Sequence, residues 1–238
     1  MTGFFWQYNE MKQVGADYST LSEVEVYDEQ MAKLRDIKQE TENIINLLNI
    51  GSGDTVAEFG TGTGEFANAV AQRCKKVIAI DVSANMLEYA KQKSNKKGIY
   101  NIDFNQGGFL TYQHSGELVD VVITQLALHH LPDFWKMIAL KSIFNMLKED
   151  GTLYIRDTVY SFDMDNYQHF FNRWISETLI SAGKELARDV ETAVREEFST
   201  CDWIMEGLLK HAGFKIHKVE YDQGFLAQYI CKKDQGDM

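Results

Sequence analysis

The chain has 238 residues, 45% of them hydrophobic, and its 24 basic against 35 acidic side chains leave a net charge of −11. That size and composition suit one α/β domain with a single core, and an acidic chain with no offsetting basic block excludes a nucleic acid as the expected partner. No apolar stretch is long enough to cross a bilayer, and the opening "MTGFFWQYNE" has neither the basic region nor the apolar core of a signal peptide, so a cytoplasmic protein without a membrane partner is expected.

In chain order, the first rhythm is helical. Val24, Tyr27, Met31, Leu34, Ile37, Ile44 and Leu48 step by three or four, with a gap at Thr41, as on one face of a helix or a pair of helices. The rhythm then changes to "TVAEF", "KVIAI", "NIDF", "DVVIT" and "TLYIRD", short runs of β-branched and apolar residues typical of strands buried on both faces of a parallel sheet. Helices separate most of them: one follows Gly64, one follows Ser83, placed as an N-cap, and one carries Met137, Leu140, Phe144 and Leu147 before "EDG" stops it. Strand and helix in alternation predict a doubly wound, mostly parallel seven-stranded sheet of Rossmann type. The last stretch, "FKIHKVEYDQGFLAQYICKK", reads as an antiparallel hairpin turning at Asp222 to Gly224.

Between the fifth strand and that hairpin lie too many residues for an ordinary connection. Tyr167, Phe170, Phe171 and Trp174 fall there at helical spacing, as a second set does from Trp203 to Leu209. The organisation expected is one domain over 1–238, with a helical cover (1–50), a ligand-binding core (54–160), a helical insertion (162–212) and the hairpin (213–232). Cys74, Cys201 and Cys231 are widely separated, in no ligand or disulfide spacing, and read as packing residues of a reducing compartment.

Gly60, Gly62 and Gly64 alternate in "EFGTGTGEF" directly after the first strand. A glycine turn between strand and helix lets a ligand approach backbone amides at the carboxyl edge of the sheet. A dinucleotide fingerprint would have glycine after Gly64, where this chain has Glu65, and no phosphate-binding loop with Gly-Lys-Ser/Thr occurs. Glu58 adds a second carboxylate beside the loop. A ligand with positive charge and no phosphate fits better.

These residues resemble the class I S-adenosylmethionine-dependent methyltransferases, whose first motif is an acidic residue followed by Gly-x-Gly-x-Gly, and the likeness runs from about Thr55 to Lys232. The resemblance implies S-adenosyl-L-methionine as cofactor, with Gly60, Thr61, Gly62 and Gly64 beside its amino acid part and Glu58 helping to hold it. Asp81, at the end of the second strand, takes the place of the carboxylate that grips both ribose hydroxyls. Val82 adjoins it, and Met86 matches the position that packs on adenine. After the third strand the family usually has Gly-Asp-Ala, whereas "NQGGFL" puts Gly108 where that Asp would be, leaving adenine to the backbone of Phe109 and to packing. Gln125 at the end of the fourth strand completes the cofactor set. The stretch "VITQLALHHLPDFWKMIALKSIFNMLKEDGTLYIRD" is similar to small-molecule members such as the ubiquinone and menaquinone biosynthesis group, which implies a small-molecule methyl acceptor. Amino-methylating DNA enzymes have Asp/Asn-Pro-Pro-aromatic after the fourth strand, and "TQLALHH" has no such motif.

His129 and His130 raise the question of a metal. Adjacent residues point in different directions and no partners recur at ligand spacing, so no metal site is expected. Methyl transfer needs a base only for a nucleophile that is protonated in its ground state. His129, Asp157 and Tyr160, near the strand ends, are the candidate catalytic residues. Trp6, Tyr18, Tyr27, His130, Tyr167 and Trp174 are candidates for the lid or the acceptor pocket. The rival functions are a catalytically silent protein binding the cofactor or its demethylated product, and a nicotinamide-dependent oxidoreductase, which Glu65 and the missing glycine disfavour.

Overall fold

The computed structural model describes residues 6–12, 14–15, 24, 28–29, 31–32 and 35–233; Tyr18 and Tyr27 lie outside them. Helix α1 (Ile37–Leu47) precedes β1 (Thr55–Phe59), α2 (Glu65–Val70), β2 (Lys76–Asp81), α3 (Ala84–Lys96), β3 (Ile102–Gln106) and β4 (Val119–Gln125). A 3-10 turn (Leu128–His130) leads to α4 (Asp133–Met146) and β5 (Leu147–Tyr160). After these come α5 (Tyr167–Ala182), α6 (Lys184–Glu196), β6 (Thr200–Cys201), α7 (Asp202–Ala212), β7 (Phe214–Asp222) and β8 (Leu226–Lys233).

The strands form one sheet in the order β3-β2-β1-β4-β5-β8-β7. The first five are parallel, and β8 pairs antiparallel with both β5 and β7. The expected seven strands make up this path, and an eighth, β6, pairs parallel with the end of β5 through Val159↔Thr200 and Tyr160↔Cys201. Two residues of strand carry no periodicity to read.

Central strands of a sheet covered on both faces carry apolar residues on both, and β1 does so. Ala57 and Phe59 pack with Leu140 and Ile143 of α4 and Met205 and Leu209 of α7, while Val56 packs on the other face with Ile44 and Ile45 of α1 and Phe66 and Val70 of α2. Thr41, the gap in the first apolar stripe, is buried all the same. Ser83 caps α3 by accepting from the Met86 amide at 3.3 Å. Helix α4 ends a residue earlier than its apolar pattern, because Leu147 already pairs with Val119 as the first residue of β5. Among the described residues no helix is long and apolar enough to cross a membrane. Strand order reverses between β1 and β4, which opens a crevice at their carboxyl ends.

Candidate functional site

A cavity of about 650 Å³ occupies that crevice, within the usual range for small-molecule sites. Gly60 and Gly62 line it. Gly60 has φ +73°, and a Cβ there would sit 2.5 Å from the Ala127 methyl, so its glycine is required by protein packing as well as by conformation. Gly62, at φ +52°, has no atom of the described residues within 4 Å of where its Cβ would be. Gly64 lies off the cavity against Ala90 of α3.

Asp81 holds this loop in place, accepting from the Gly62 amide at 2.8 Å and the Ser83 amide at 2.8 Å. Burial pushes its carboxyl above the ordinary range against the pull of those amides. Glu58 lies beneath the loop rather than on the cavity wall and accepts from the Thr61 hydroxyl at 2.6 Å. Burial lifts Glu58 to about 8, the Thr61 bond opposing and Asp81 adding to the rise. Glu65 also faces elsewhere, paired with Lys93 at 2.6 Å, so its charge is met by that ammonium and not turned toward the cavity.

Val82, Met86, Gly108 and Phe109 line one end of the cavity, and Phe109 stacks on Phe59 at 5.0 Å. Glu10, from the N-terminal segment, reaches the same place. Its carboxylate accepts from the amides of Leu110 at 2.9 Å and Thr111 at 2.6 Å and from the Thr111 hydroxyl at 2.7 Å.

At the end of β4, Gln125 and the next residue Leu126 line the cavity, Leu126 in the left-handed region at φ +52° with its amide bonded to the Arg156 carbonyl at 2.7 Å. Strain of this kind in a branched residue is held by the surrounding structure. Arg156 of β5 and Arg35 share Glu40 of α1, at 3.2 and 2.6 Å. All three line the cavity, and Arg35 Nε and Arg156 Nη1 are buried without a hydrogen-bond partner among the described residues.

At the other end stand the two histidines. Asp157 is 1% exposed and grips His129 twice, through Nδ1 and through the backbone amide at 3.0 Å. Burial disfavours the imidazolium of His129, yet Asp157 and Glu197 outweigh it and raise its pKa; Asp157 is held low by His129 against its own desolvation. His129 Nε2 is 3.3 Å from a Glu197 oxygen. His130 is pushed down to about 3 by burial and by His129, and so is neutral. The premise that adjacent histidines point apart is corrected here: on the 3-10 turn the two rings lie 4.4 Å apart, tilted against each other. Tyr160, bonded to the Ser199 side chain, and Trp174, stacked on Phe225 at 4.0 Å, line the chamber beyond.

Two expected pocket residues lie elsewhere. Tyr167, at the first position of α5, is 52% exposed and off the cavity, and Trp6, 71% exposed, stacks on Trp135 outside it. Sequence reasoning passed over Glu10, Arg35, Glu40, Arg156 and Glu197. Of these only Arg156 carries a sign in the sequence, a charge inside the buried run "TLYIRD".

A doubly wound sheet ending in an antiparallel hairpin, with a glycine loop after β1 and a carboxylate closing β2, defines a class I S-adenosylmethionine-dependent methyltransferase. The chain belongs to the methyltransferase-domain family, which it matches over residues 50–224. Among curated proteins it is 30% identical over 188 residues to an uncharacterised methyltransferase of Geobacillus kaustophilus, covering 79% of this chain and 80% of the relative. It is 29% identical over 196 residues to one of Anoxybacillus flavithermus, covering 82% and 84%. Among solved structures, an S-adenosylmethionine-dependent methyltransferase from Clostridium acetobutylicum shares the fold with a TM-score of 0.67 at 14% identity, over 88% of this chain and 97% of that one. DhpI, in complex with S-adenosylhomocysteine, does so at 0.62 and 17%, over 90% and 93%.

Proposed function

We propose that the chain transfers a methyl group from S-adenosylmethionine to a small-molecule acceptor held at the histidine end of the cavity. The observation that carries this reading is the pair of guanidinium nitrogens orphaned among the described residues, Arg35 Nε and Arg156 Nη1, in the same cavity as Gly62 and the carboxylate of Asp81. A buried donor without a partner is costly, and a ligand carboxylate would relieve it. The residues therefore fit a ligand with a carboxylate at one end, a ribose in the middle and a purine at the other.

In this reading Arg35 and Arg156 take the carboxylate, and Glu58 beneath the loop complements the ammonium. Asp81 has acceptor capacity left beyond its two amides and takes the ribose hydroxyls. Val82, Met86 and Phe109 sandwich the adenine, and Glu10 offers a carboxylate edge beside Gly108. The cofactor supplies an electrophilic methyl on a sulfonium, so the protein's tasks are alignment and exclusion of water.

The acceptor would lie between the histidine wall and the apolar surface of Tyr160, Leu186 and Phe225, which suits a compact molecule with a polar reacting end. Tyr160, bonded to Ser199 and packed on Phe162 and Phe171, serves as wall. Asp157 is a positioning residue, fixing the ring of His129 so that Nε2 faces the chamber. Calorimetric titration with S-adenosylhomocysteine and with NAD tests the cofactor, and turnover of labelled methyl groups against a metabolite panel tests the acceptor class. Micromolar-scale binding of the first without the second is expected, and preferential binding of NAD would overturn the reading.

A further inference from the structure

His129, His130 and Glu197 each present one ligand atom, and these atoms all lie within 4.8 Å of one another. All three residues line the cavity. We propose that they form a binding site for one divalent first-row transition-metal ion, at the acceptor end of the cavity. Binding of the ion stands by itself; what it does for the acceptor rests on the methyl-transfer reading above.

The argument is one of construction. Metal bonds of about 2.0 to 2.2 Å from nitrogen and oxygen put neighbouring ligand atoms roughly 3.0 to 3.5 Å apart in tetrahedral or octahedral geometry. His129 Nε2 and the Glu197 oxygen, 3.3 Å apart, already have that spacing. Small rotations of His130 bring in the third. Two imidazoles and one carboxylate, with the remaining positions opening on a cavity, are a donor set for a first-row divalent ion that keeps room for substrate.

The outer partners are also present. A metal-binding imidazole almost always gives its other ring nitrogen to a carboxylate or a backbone carbonyl, which fixes the tautomer. His129 does so with the Asp157 carboxylate, leaving its Nε2 toward Glu197, and His130 is hydrogen-bonded to the Val14 backbone. Glu197 is set by its neighbour Phe198, whose amide donates to the His129 carbonyl at 2.9 Å and whose carbonyl accepts from the buried Lys136 ammonium. The strap carrying the carboxylate is thus bolted to the turn carrying the histidines. An ion here would hold an acceptor through oxygen and make a bound hydroxyl easier to deprotonate, which points to acceptors with a hydroxyl or carboxylate oxygen at the reacting end.

The test uses untagged full-length protein stripped with a chelator. Cobalt(II) is titrated in while its visible absorption is followed, and S-adenosylhomocysteine affinity is measured alongside. One cobalt per chain, displaceable by zinc, is expected, with affinity at least tenfold lower in His130→Ala and Glu197→Gln and about 10- to 100-fold lower in Asp157→Asn. Where His130→Ala fails to fold, Glu197→Gln keeps the volume and carries the test. Absence of stoichiometric cobalt, or equal affinity in the variants, would overturn the site and leave the trio as a proton-handling group. Loss of S-adenosylhomocysteine binding in the unaltered protein would instead count against the cofactor reading, and the two failures are separate.

Discussion

The carboxylate of Glu10 fills the space where a side chain of residue 108 would begin: a Cβ on Gly108 would lie 2.5 Å from Glu10 Oε2. The family resemblance puts an aspartate at this position, and here a carboxylate arrives instead from a residue about a hundred positions upstream. The departure at Gly108 and the placement of Glu10 are therefore one feature. Glu10→Gln should weaken S-adenosylhomocysteine binding about tenfold, consistent with loss of charge-assisted hydrogen bonds worth roughly 1.5 to 3 kcal/mol. Gly108→Ala should do the same by displacing the flexible Glu10 side chain, with thermal stability changed by no more than about 1 kcal/mol. Unchanged calorimetric affinity in both variants would assign Glu10 to loop capping alone.

Asp81 and Arg35 make separable predictions, because they address different parts of one ligand. Asp81→Ala should lower affinity at least tenfold for S-adenosylhomocysteine and for methylthioadenosine alike, since both carry the ribose and since Asp81 also orders Gly62 and Ser83. Arg35→Met should weaken only the former, because methylthioadenosine has no carboxylate. Equal losses for the two ligands in Arg35→Met would remove that arginine from the carboxylate site.

Glu58 predicts an unusual pH dependence. Burial raises its folded pKa to about 8, while in the unfolded chain a glutamate titrates near 4.3. The folded protein thus holds the proton more tightly, so this group's contribution to stability is greatest below about pH 4.3, falls as the pH rises, and levels off above about 8. Glu58→Gln removes the titration. Without ligand, the variant should melt higher than the parent at pH 8 by a few kcal/mol, on the order of 5 °C or more for a chain of this size. The gap should close toward pH 5. S-adenosylhomocysteine brings an ammonium that favours the ionised form, so its binding near pH 7 should release protons from the parent and not from the variant, read by calorimetry in buffers of different ionisation enthalpy. Parallel melting curves across this range would show that Glu58 is already ionised in the folded protein.

What could be read from the sequence divides by range. The strands announce themselves as short β-branched runs, and Gly60, Gly62 and Asp81 belong to one strand-turn-helix unit and its neighbour, so local pattern places them together. Arg35 and Arg156 meet through Glu40 only because α1 packs across the end of β5, and that contact spans 116 residues between Glu40 and Arg156. Glu197 reaches His129 only because β6 lies along β5, a pairing two residues long. Such meetings depend on how helices lie over the sheet, which hydrophobic periodicity does not encode. The histidine pair is visible in the sequence, but its closeness is not: the rings of His129 and His130 lie 4.4 Å apart through their side-chain orientations, which chain adjacency does not reveal.

The last prediction concerns the N-terminal cover, and it turns on Lys93. Its ammonium joins Asp28 of the cover to Glu65 at the start of α2, each at 2.6 Å, and Asp28 also accepts from the hydroxyl of Thr63 in the glycine loop at 2.6 Å. The cover is thus tied to the loop proposed to receive the cofactor, by an ion pair that is largely shielded from solvent. Binding that orders the loop should order the cover with it, since the two share these bonds. Hydrogen exchange in peptides spanning residues 10–32 should slow when S-adenosylhomocysteine is added. In Lys93→Met that slowing should shrink, with affinity down about tenfold, because Asp28 and Glu65 then face each other without a cation. Arg73→Met, which removes an exposed pair with Glu42 at 3.2 Å, should change neither quantity, as surface pairs contribute little. If exchange is equally slow with and without ligand in the parent, the cover is a fixed wall of the site, and the element that opens for exchange of ligands must be sought in α5 and α6.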